Sequence, residues 1–328
     1  MILVTGAAGF IGAHVTARLA SLGHEVLGID NFNDSYAVSL KLARVDALLA
    51  PQGVQVLRVD CADAAALANV FGRHAISSVV HMAALANVRA SMEQPAAFIE
   101  SNITAFGHVL ACCRQARVAH LVYASSSSVY GTGTGQPSRE TDATDSPGSL
   151  YAATKKSNEL MAHAASQQCG LPATGLRFFT VYGPWGRPDM APLIFSRAIV
   201  EGTPLRLFNH GDMQRDFVYI DDVVHATCAV LFKPPVAAAD QPPSRVLNVG
   251  HPPPVALREF VGLLEEAFGA KARLQPEVMP AGDVQSTWSD VNQSRLCVGA
   301  APATPLHEGV ARLAAWYRDW YRAWYQAG

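Results

Sequence analysis

Apolar runs alternate with amphipathic stretches along the first half of the chain. Five runs are rich in valine, isoleucine and leucine and are too uniformly apolar for strands with one wet face: Ile2–Thr5, Glu25–Asp30, Val54–Asp60, Ser78–Ala83 and His120–Ser126. Segments with helical periodicity separate them, at about 11–22, 63–73 and 95–117. Because buried strands that alternate with helices are typical of a parallel sheet covered on both faces, we predict an α/β fold with a Rossmann-type doubly wound parallel sheet.

The pattern loosens from about residue 176, where proline and glycine become more frequent and the apolar runs shorten. Lys233–Arg245 predicts an exposed loop, because proline and alanine without periodicity cannot form a packed element. Val246–Val249 predicts a late strand that returns to the first sheet, and Leu257–Phe268 predicts an amphipathic helix. The second half therefore combines elements of the first sheet with elements of its own.

Length and composition are consistent with this division. The chain has 328 residues, of which 50% are hydrophobic and 16% charged, so it can bury a large core. We expect a first domain at 1–175, to which the chain returns at about 215–250. A second, smaller α/β domain that binds the substrate is expected at 176–328, interleaved with the first.

The formal net charge of −2 gives no general attraction to nucleic acid or to an anionic membrane, so an anionic ligand must be held by local groups. The six cysteines form no CxxC pair, which favours reduced thiols. The first ten residues lack a basic leader, and no apolar run approaches the length needed to span a bilayer. We expect a cytoplasmic protein.

A glycine-rich turn follows the first predicted strand and opens the first predicted helix. Gly6 permits a tight turn, Gly9 lets the backbone approach a pyrophosphate, and Gly12 allows close contact between helix and strand. The backbone of Phe10 and Ile11 lies between them, at the positive end of the helix dipole. This spacing favours a dinucleotide site, although glycines alone are weak evidence.

The other strand ends carry polar or small residues that suit the same ligand. Asp30 stands where a carboxylate accepts hydrogen bonds from the adenosine ribose, and no lysine or arginine follows it in Asn31 to Asn33, which favours NAD over NADP. Asp60, next to Cys61, is suited to the adenine amino group or to capping the next helix. In an open α/β sheet all these strand ends share one edge: Gly6, Asp30, Asp60, Ala83, Ala84 and the serine run from Ser125 to Ser128.

Tyr151 and Lys155 are four residues apart, so one face of a helix carries both side chains. Oxidation of a carbinol needs a base for the hydroxyl proton, and a phenol with an unperturbed pKa of about 10 needs help to act as one. A neighbouring ammonium and a cationic nicotinamide both favour the phenolate. The Ser126 hydroxyl can bind the substrate oxygen as the carbonyl forms, whereas Lys156 is expected to be solvated.

Together these motifs resemble the extended short-chain dehydrogenase/reductase family, and within it the UDP-glucuronate 4-epimerases. Five segments carry the resemblance: Asp30–Asp34 with the following Tyr36 and Ser39–Lys41, Ala124–Gly131, Ser149–His163, Phe179–Ala191 and Phe208–Asp222. The resemblance implies an NAD-dependent epimerase that acts on a UDP-sugar through a 4-keto intermediate. It also implies a homodimer formed by the helices at 95–117 and 151–168.

The resemblance assigns roles residue by residue. Ser126 or Ser128, Tyr151 and Lys155 form the catalytic group, and Gly6, Gly9, Phe10, Ile11, Gly12, Asp30, Asn31, Asn33, Asp60, Cys61, Ala83, Ala84, Tyr151 and Lys155 bind NAD. Thr180 and Arg187 contact the sugar, with Arg187 suited to bidentate recognition of a carboxylate. Arg215 contacts the diphosphate or forms a structural ion pair. The remaining residues that bind the substrate are Arg89, Ser127, Ser128, Met190, Phe208 and Asp283.

Departures from the family pattern occur at Leu85 to Asn87, at Ala90 and at Pro280, and they leave the sugar preference open. Related dehydratases carry an Asp–Glu pair where this chain has Ser127 and Ser128, which argues against a 4,6-dehydratase. A UDP-glucuronate decarboxylase and a 4-epimerase of neutral or N-acetylated UDP-hexoses remain open. A dinucleotide sensor without chemistry is disfavoured by the intact Tyr151 and Lys155 pair.

Two features outside these motifs also predict structure. The C-terminus repeats aromatic residues every four positions (Trp316, Trp320 and Trp324, with a tyrosine after each), which favours a helix packed on the body over an oligomer contact or a membrane-surface role. His81 is interpreted as a hydrogen-bonded core histidine. No cluster of metal-ligand residues is present in the sequence pattern, so no metal is expected.

Overall fold

Parallel strands dominate the protein. The computed structural model describes residues 1–132, 136–279, 284–299 and 303–327. Its strands are β1 (Ile2–Thr5), β2 (Val26–Asp30), β3 (Gln55–Arg58), β4 (Ser78–His81), β5 (His120–Ser126), β6 (Ala173–Phe178), β7 (Thr180–Tyr182), β8 (Pro204–Phe208), β9 (Gln214–Arg215), β10 (Phe217–Tyr219), β11 (Ser244–Val249), β12 (Val255–Ala256) and β13 (Arg273–Glu277). The main sheet has seven parallel strands in the order β11-β6-β5-β4-β1-β2-β3. The predicted doubly wound sheet is thus confirmed.

Helices connect and cover these strands. They are α1 (Phe10–Ser21), α2 (Val38–Arg44), α3 (Ala64–Arg73), α4 (Val88–Glu93), α5 (Pro95–Ile99), α6 (Ala105–Ala116), α7 (Leu150–Cys169), α8 (Ala191–Glu201), α9 (Ile220–Leu231), α10 (Leu257–Phe268), α11 (Asn292–Val298), α12 (Leu306–Trp316) and α13 (Arg322–Ala327). Single π-helical turns join α5 to α6 at Glu100–Thr104 and α12 to α13 at Tyr317–Tyr321.

Alternate residues of each strand build two separate cores, one on each face of the sheet. Val4, Val80 and Val122 face the side that α1 and α9 cover. Leu3 and Val79 face the opposite side, which α3, α6 and α7 cover. Because the side-chain direction in a strand repeats every two residues, a run that is apolar throughout buries both faces. This is the physical reason for the uninterrupted apolar runs in the sequence.

The smaller layer is built from two-stranded pairs: β10 with β7, β12 with β9 and β13 with β8. Around them lies an apolar cluster continuous with the core under α1 and α9. Trp316 and Trp320 of the C-terminal helix lie against Trp185, with ring centroids 5.4 and 4.2 Å away. The C-terminal aromatic helix therefore packs on the body of the protein, as its spacing favours.

Several boundaries and elements differ from the sequence predictions. The third strand ends at Arg58, so Asp60 lies beyond it, and the cap of α3 is Asp63, whose carboxylate accepts from the Ala66 N–H. The strand β11 begins at Ser244 rather than Val246, because its first residues pair with β6 despite their polarity. Helices α2 and α4 were not predicted, since each is short and lacks a long apolar period.

The expectation about membrane-spanning length was wrong. The continuous helical stretch Pro95–Ala116 is 22 residues long and has a mean hydropathy of 1.3 in its most apolar window, enough by length and composition to cross a bilayer. Its apolar residues Phe106 and Val109 lie in the core beneath the sheet. Core helices pass the same test of length and hydropathy, so this helix is weak evidence for a membrane.

Candidate functional site

A cleft of about 990 Å³ runs along the carboxyl edge of the main sheet and continues toward the smaller layer. Its lining includes every site residue that the sequence predicts, apart from Asp283, which lies outside the described residues. Ligands of open α/β sheets bind at this edge. The structure therefore brings residues from β1 to β8 and the intervening loops around one volume.

The glycine-rich turn lies at the floor of the cleft. Gly6 adopts a φ of +67°, and a Cβ atom at Gly12 would lie 2.0 Å from the carbonyl oxygen of Gly6, so only glycine permits this approach of helix to strand. The cap position of α1 is Gly9, which has no side chain to occupy the first N–H groups of the helix. These N–H groups can hold a pyrophosphate, so the turn fits a dinucleotide.

Polar side chains form a connected chain beside this turn. Asp30 accepts from the N–H groups of Ala8, at 3.1 Å, and Phe32, at 2.8 Å. Asn31 donates to Asp60 at 2.9 Å, and its own oxygen accepts from both nitrogens of Asn33 at 3.0 Å. These hydrogen bonds fix the rim of the cleft against which a ribose or an adenine would lie.

Lys41 joins the chain from α2. Its Nζ donates to Asn33 Oδ1 at 3.0 Å and lies 4.9 Å from the centre of the Tyr36 ring, and burial lowers the pKa of its ammonium. The sequence argument for NAD considered only the residues that directly follow Asp30. The fold also brings the Lys41 ammonium to this rim, which the residues directly after Asp30 do not reveal. Lys41 belongs to the segment Ser39–Lys41 that carries the family resemblance, and this was the only indication of its position in the sequence.

Tyr151 and Lys155 extend from one face of α7 toward the middle of the cleft. The Ser149 side chain caps the helix by accepting from the Ala152 N–H, and the Ser91 hydroxyl accepts from the Tyr151 N–H at 3.1 Å. The Nζ of Lys155 donates to the carbonyl oxygen of Ala124 at 3.0 Å. Both side chains are thus anchored through their helix to neighbouring elements.

Burial controls the protonation of this pair. Desolvation raises the pKa of Tyr151, against the opposing effects of a hydrogen bond with Ser126 and of the Arg187 charge. Desolvation also lowers the pKa of Lys155 to about 8. Lys155 was expected to favour the phenolate. Among the charges of the protein, however, it is that of Arg187 that acts to lower the pKa of Tyr151. Lowering the phenol pKa to a working range then requires a further cation in the cleft.

The serine run covers the last two residues of β5 and the turn that follows, and its Ser126 hydroxyl forms a hydrogen bond with Tyr151. The Ser126 hydroxyl accepts from both the N–H and the hydroxyl of Ser128, at 3.2 and 2.9 Å. Ser125 instead points into the core and donates to Glu159 at 2.6 Å. The Ser126 and Ser128 hydroxyls therefore lie together at the cleft, where they can bind a substrate oxygen.

A buried ion pair supports this run from behind. Arg177 donates to both carboxylate oxygens of Glu159 at 2.8 Å and to the Tyr130 hydroxyl at 2.9 Å. The Glu159 carboxylate raises the pKa of Arg177, despite the opposing effect of burial. Lys156 lies 3.8 Å from the same carboxylate and is only 23% exposed, so the expectation that it is simply solvated was wrong. Sequence reasoning missed this network because its members are far apart in the chain.

Arg187 lies between the serine run and the smaller layer. Its Nε and Nη2 donate to the two oxygens of Asp189 at 3.1 and 2.6 Å, and its Nη1 donates to the Ala86 carbonyl at 2.6 Å. Asp189 also accepts from Asn87 at 3.2 Å. The side of the guanidinium expected to bind a substrate carboxylate thus already holds Asp189. The Nη1 and Nη2 groups each retain a second N–H that can be directed into the cleft.

The remaining predicted contacts lie at the outer end of the cleft. The guanidinium of Arg89 lies 4.7 Å from the centre of the Phe208 ring, which offers a flat surface to a base. Arg215 donates to the carbonyls of Gln214, at 2.9 Å, and Gln285, at 3.1 Å. Other lining residues here are Ser127, Thr180 and Met190.

Asn102 is a positioning residue that the sequence did not reveal. It lies fully buried in the π-helical turn before α6, exchanges hydrogen bonds with the backbone of Leu85, and donates to Thr154 at 3.0 Å. It thereby links the wall of the cleft to the helix that carries Tyr151. A π-helical turn often marks such a site, but it leaves no periodic signal in the sequence.

The side chains of His81 and Cys61, near the cleft, are buried and uncharged. His81 is buried, bonded to Thr5 Oγ1 at 2.8 Å, and burial lowers its pKa to about 3, which confirms a core histidine. The described residues contain no group of three or more histidine, cysteine, aspartate or glutamate side chains that could hold a metal. Burial raises the pKa of the Cys61 thiol to about 12, so this cysteine is not reactive.

Comparisons with known proteins agree with this geometry. A family model described as NAD dependent epimerase/dehydratase family matches residues 2–250. The chain is 45% identical to UDP-glucuronate 4-epimerase 3 of Arabidopsis thaliana over 96% of this chain and 76% of that one. It is 43% identical to Protein CapI of Staphylococcus aureus, over 96% and 98%. The crystal structure of UDP-glucuronic acid 4-epimerase from Bacillus cereus in complex with UDP-glucuronic acid and NAD matches with a TM-score of 0.87 at 30% identity, covering 97% of this chain and 99% of that one.

Proposed function

Because the chain belongs to the NAD dependent epimerase/dehydratase family, we propose that it interconverts UDP-glucuronate and UDP-galacturonate at C4 through a transient 4-keto sugar. The observation that carries the proposal is the joint placement of Tyr151, Lys155 and the Ser126 hydroxyl at the cleft beside a glycine turn. Relatives named UDP-glucuronate 4-epimerases support the sugar and the carbon.

The protein's own residues move the proton and hold the sugar. When bound, NAD accepts a hydride from the sugar and later returns it. Tyr151 takes the C4 hydroxyl proton and gives it back, while the Ser126 hydroxyl, which itself accepts from Ser128, donates to the oxygen as it becomes a carbonyl. Lys155, with a pKa lowered to about 8, keeps a cationic form at neutral pH that suits a ribose hydroxyl.

The cofactor fits the residues that line the inner cleft. Gly6, Gly9 and Gly12, with the N–H groups of Phe10 and Ile11, suit the pyrophosphate, and Asp30 suits the ribose. Other residues proposed to contact NAD are Asn31, Asn33, Asp60, Cys61, Ala83 and Ala84. Since each turnover restores the cofactor, we expect NAD to remain bound through purification.

The sugar nucleotide occupies the outer cleft. The base lies near Phe208 and Arg89, the diphosphate near Arg215, and the sugar near Thr180, Ser127 and Met190. Arg187 recognises the uronate carboxylate through its remaining Nη1 and Nη2 hydrogens, while Asp189 holds the rest of the guanidinium. A 4-keto uronate can lose carbon dioxide, so holding its carboxylate in the carbonyl plane suppresses that loss.

We further propose a homodimer in the cytoplasm, with residues 1–175 as the NAD-binding domain and residues 176–328 as the interleaved sugar-nucleotide domain. The exposed apolar side chains of Ile99 on α5 and Leu160 on α7, at 44% and 59% exposure, support a contact between two copies of these helices. Sedimentation of the purified protein at twice the monomer mass supports the dimer, and a monomer contradicts it.

A product assay tests the proposed function. The purified protein is incubated with UDP-glucuronate and no added NAD, and the sugar nucleotides are identified by proton NMR. We expect UDP-galacturonate. Formation of a UDP-pentose with carbon dioxide would instead identify a decarboxylase. Conversion of UDP-glucose but not of UDP-glucuronate would identify an epimerase of neutral sugars.

A further inference from the structure

Arg44 has no role in the chemistry described so far, yet it is fully buried at the end of α2. Its guanidinium makes four hydrogen bonds, all to uncharged acceptors. Nη1 donates to the Ala8 carbonyl at 3.1 Å and to the Tyr36 hydroxyl at 2.6 Å. Nε and Nη2 donate to the carbonyls of Trp185, at 2.9 Å, and Gly186, at 3.0 Å. One side chain thus binds two loops that lie about 180 residues apart in the chain.

These two loops belong to different parts of the proposed reaction. Ala8 lies in the glycine turn that faces the cofactor, whereas Trp185 and Gly186 directly precede Arg187. The loop backbone is unusual, because Trp185 has a φ of +63°. That conformation is unfavourable for a residue with a Cβ atom, and it persists only where the surroundings hold it.

The other side of the same loop is held by the C-terminal aromatic helix. The Trp185 ring is 8% exposed and contacts the rings of Trp316 and Trp320, the latter at 4.2 Å between centroids. Arg44 thus binds the backbone carbonyls of Trp185 and Gly186, and Trp320 packs on the Trp185 ring. We call Arg44, Trp185 and Trp320 the loop clamp.

We propose that the loop clamp holds the loop that carries Arg187 at a fixed distance from the glycine turn, so that sugar and cofactor keep their register through both hydride transfers. Arg44 and Trp320 act in it as positioning residues. This inference rests on the proposed function for its kinetic consequence. Its structural consequence, a loop fixed from two sides, can be measured without any activity.

Two variants test the clamp from opposite sides. Arg44→Lys keeps the charge but cannot make four hydrogen bonds from a single nitrogen, and Trp320→Leu removes the ring that packs on Trp185. Arg318→Lys and Tyr325→Leu are the matched controls, and both residues lie in the C-terminal helical stretch outside the clamp. Arg318 also donates to a backbone carbonyl, that of Ala267, at 2.6 Å, and the Tyr325 ring stacks on that of Tyr321, with centroids 5.9 Å apart.

The first measurement is the rate at which chymotrypsin cleaves the native protein after Trp185, with the fragments identified by mass. Local opening governs such cleavage. We expect cleavage to be about tenfold faster in Arg44→Lys and Trp320→Leu than in the wild type and the controls. If the rates of both variants match the wild type, the clamp does not exist. If Arg44→Lys fails to fold, Trp320→Leu alone decides.

The second measurement is steady-state kinetics with UDP-glucuronate. Misplacement by about 1 Å can cost roughly a hundredfold in rate, so we expect kcat to fall at least about tenfold while KM changes less than about threefold. Faster cleavage with an unchanged kcat would show a merely structural role and overturn the positioning proposal. A wild-type protein that does not epimerise UDP-glucuronate refutes the proposed function, and the proteolysis still decides the clamp.

Discussion

Among single residues, the proposed reaction depends most on Tyr151. Its phenol is buried, which raises its pKa, while Ser126 and Arg187 act in the opposite direction. Lys155 is nearby on the same helix face, but burial lowers its own pKa to about 8. Burial therefore opposes ionisation of the phenol, and the positive charge of a bound nicotinamide would act in the opposite direction.

The Tyr151→Phe variant removes the proton-transferring oxygen and little else. We expect kcat with UDP-glucuronate to fall by roughly 10²- to 10⁴-fold, because positioned general acids and bases contribute that range, while bound NAD is retained. Tyr325→Phe, which alters an exposed tyrosine, serves as the control. Activity of Tyr151→Phe equal to that of the control would exclude Tyr151 as the base.

Site residues at strand ends and on one helix face could be predicted from the sequence, whereas those with distant partners could not. The glycine turn, Asp30, Tyr151 and the serine run line the cleft as predicted, because strand ends and helical spacing leave local signals. Arg44, Asn102 and the bond from Arg187 to Asp189 were missed. Their partners are distant in sequence or lie on loops without a period, and no single-chain pattern specifies which carbonyl a buried side chain meets.

Among the elements, α7 is joined to β6 by the ion pair of Glu159 and Arg177. Arg177 is buried and makes paired hydrogen bonds with the carboxylate, which also accepts from Ser125. The network holds the base of the serine run against the helix of Tyr151. Six of the seven strands of the main sheet were predicted to within a few residues, because fully apolar runs specify buried parallel strands, whereas β6 was not predicted.

The Glu159→Gln variant removes the charge of this pair. We expect the free energy of unfolding to fall by about 3 kcal/mol, since breaking a buried ion pair leaves an uncompensated charge in the core. Urea denaturation followed by circular dichroism provides the measurement. Glu277→Gln breaks the exposed pair with Arg206 and is expected to change stability little. Equal effects of the two substitutions would show that the buried network is not structural.

At the scale of the whole molecule, the comparisons confirm the resemblance carried by five sequence segments, and the seven-stranded sheet confirms the fold class. The smaller layer was predicted less well. Its strands are two to five residues long and occur in pairs, and its helix α8 was not predicted. The helix α9, which covers one face of the main sheet, was not predicted either. Short paired strands draw their stability from packing rather than from an apolar run of their own.

Buried histidines make the stability of the whole fold depend on pH. Burial lowers the pKa of His14 and His120 to about 4 and that of His81 to about 3. Between these values and the unfolded value of about 6.5, the unfolded chain binds more protons than the folded one. Stability is therefore fully present above about pH 6.5 and is lost as the pH falls toward 4.

His120→Gln isolates one of these contributions, since glutamine keeps a donor and an acceptor for Leu231 and Thr174. We expect the variant to be less stable than the wild type at pH 7. The difference in the free energy of unfolding should shrink by about 2 kcal/mol as the pH falls to about 4.5. Only the wild type takes up a proton at this imidazole when it unfolds, so only its unfolded state is stabilised by the added protons. Urea denaturation at several pH values provides the measurement, and parallel stability curves would contradict the assignment.

The proposed mechanism requires that the same hydrogen leaves and returns to C4 while Tyr151 moves the proton. UDP-glucuronate deuterated at C4 is incubated with the purified protein and no added NAD, and the product is examined by NMR. We expect UDP-galacturonate that keeps its deuterium at C4. Product with solvent hydrogen at C4 would contradict it, because the inversion would then proceed by proton abstraction from carbon rather than by hydride transfer.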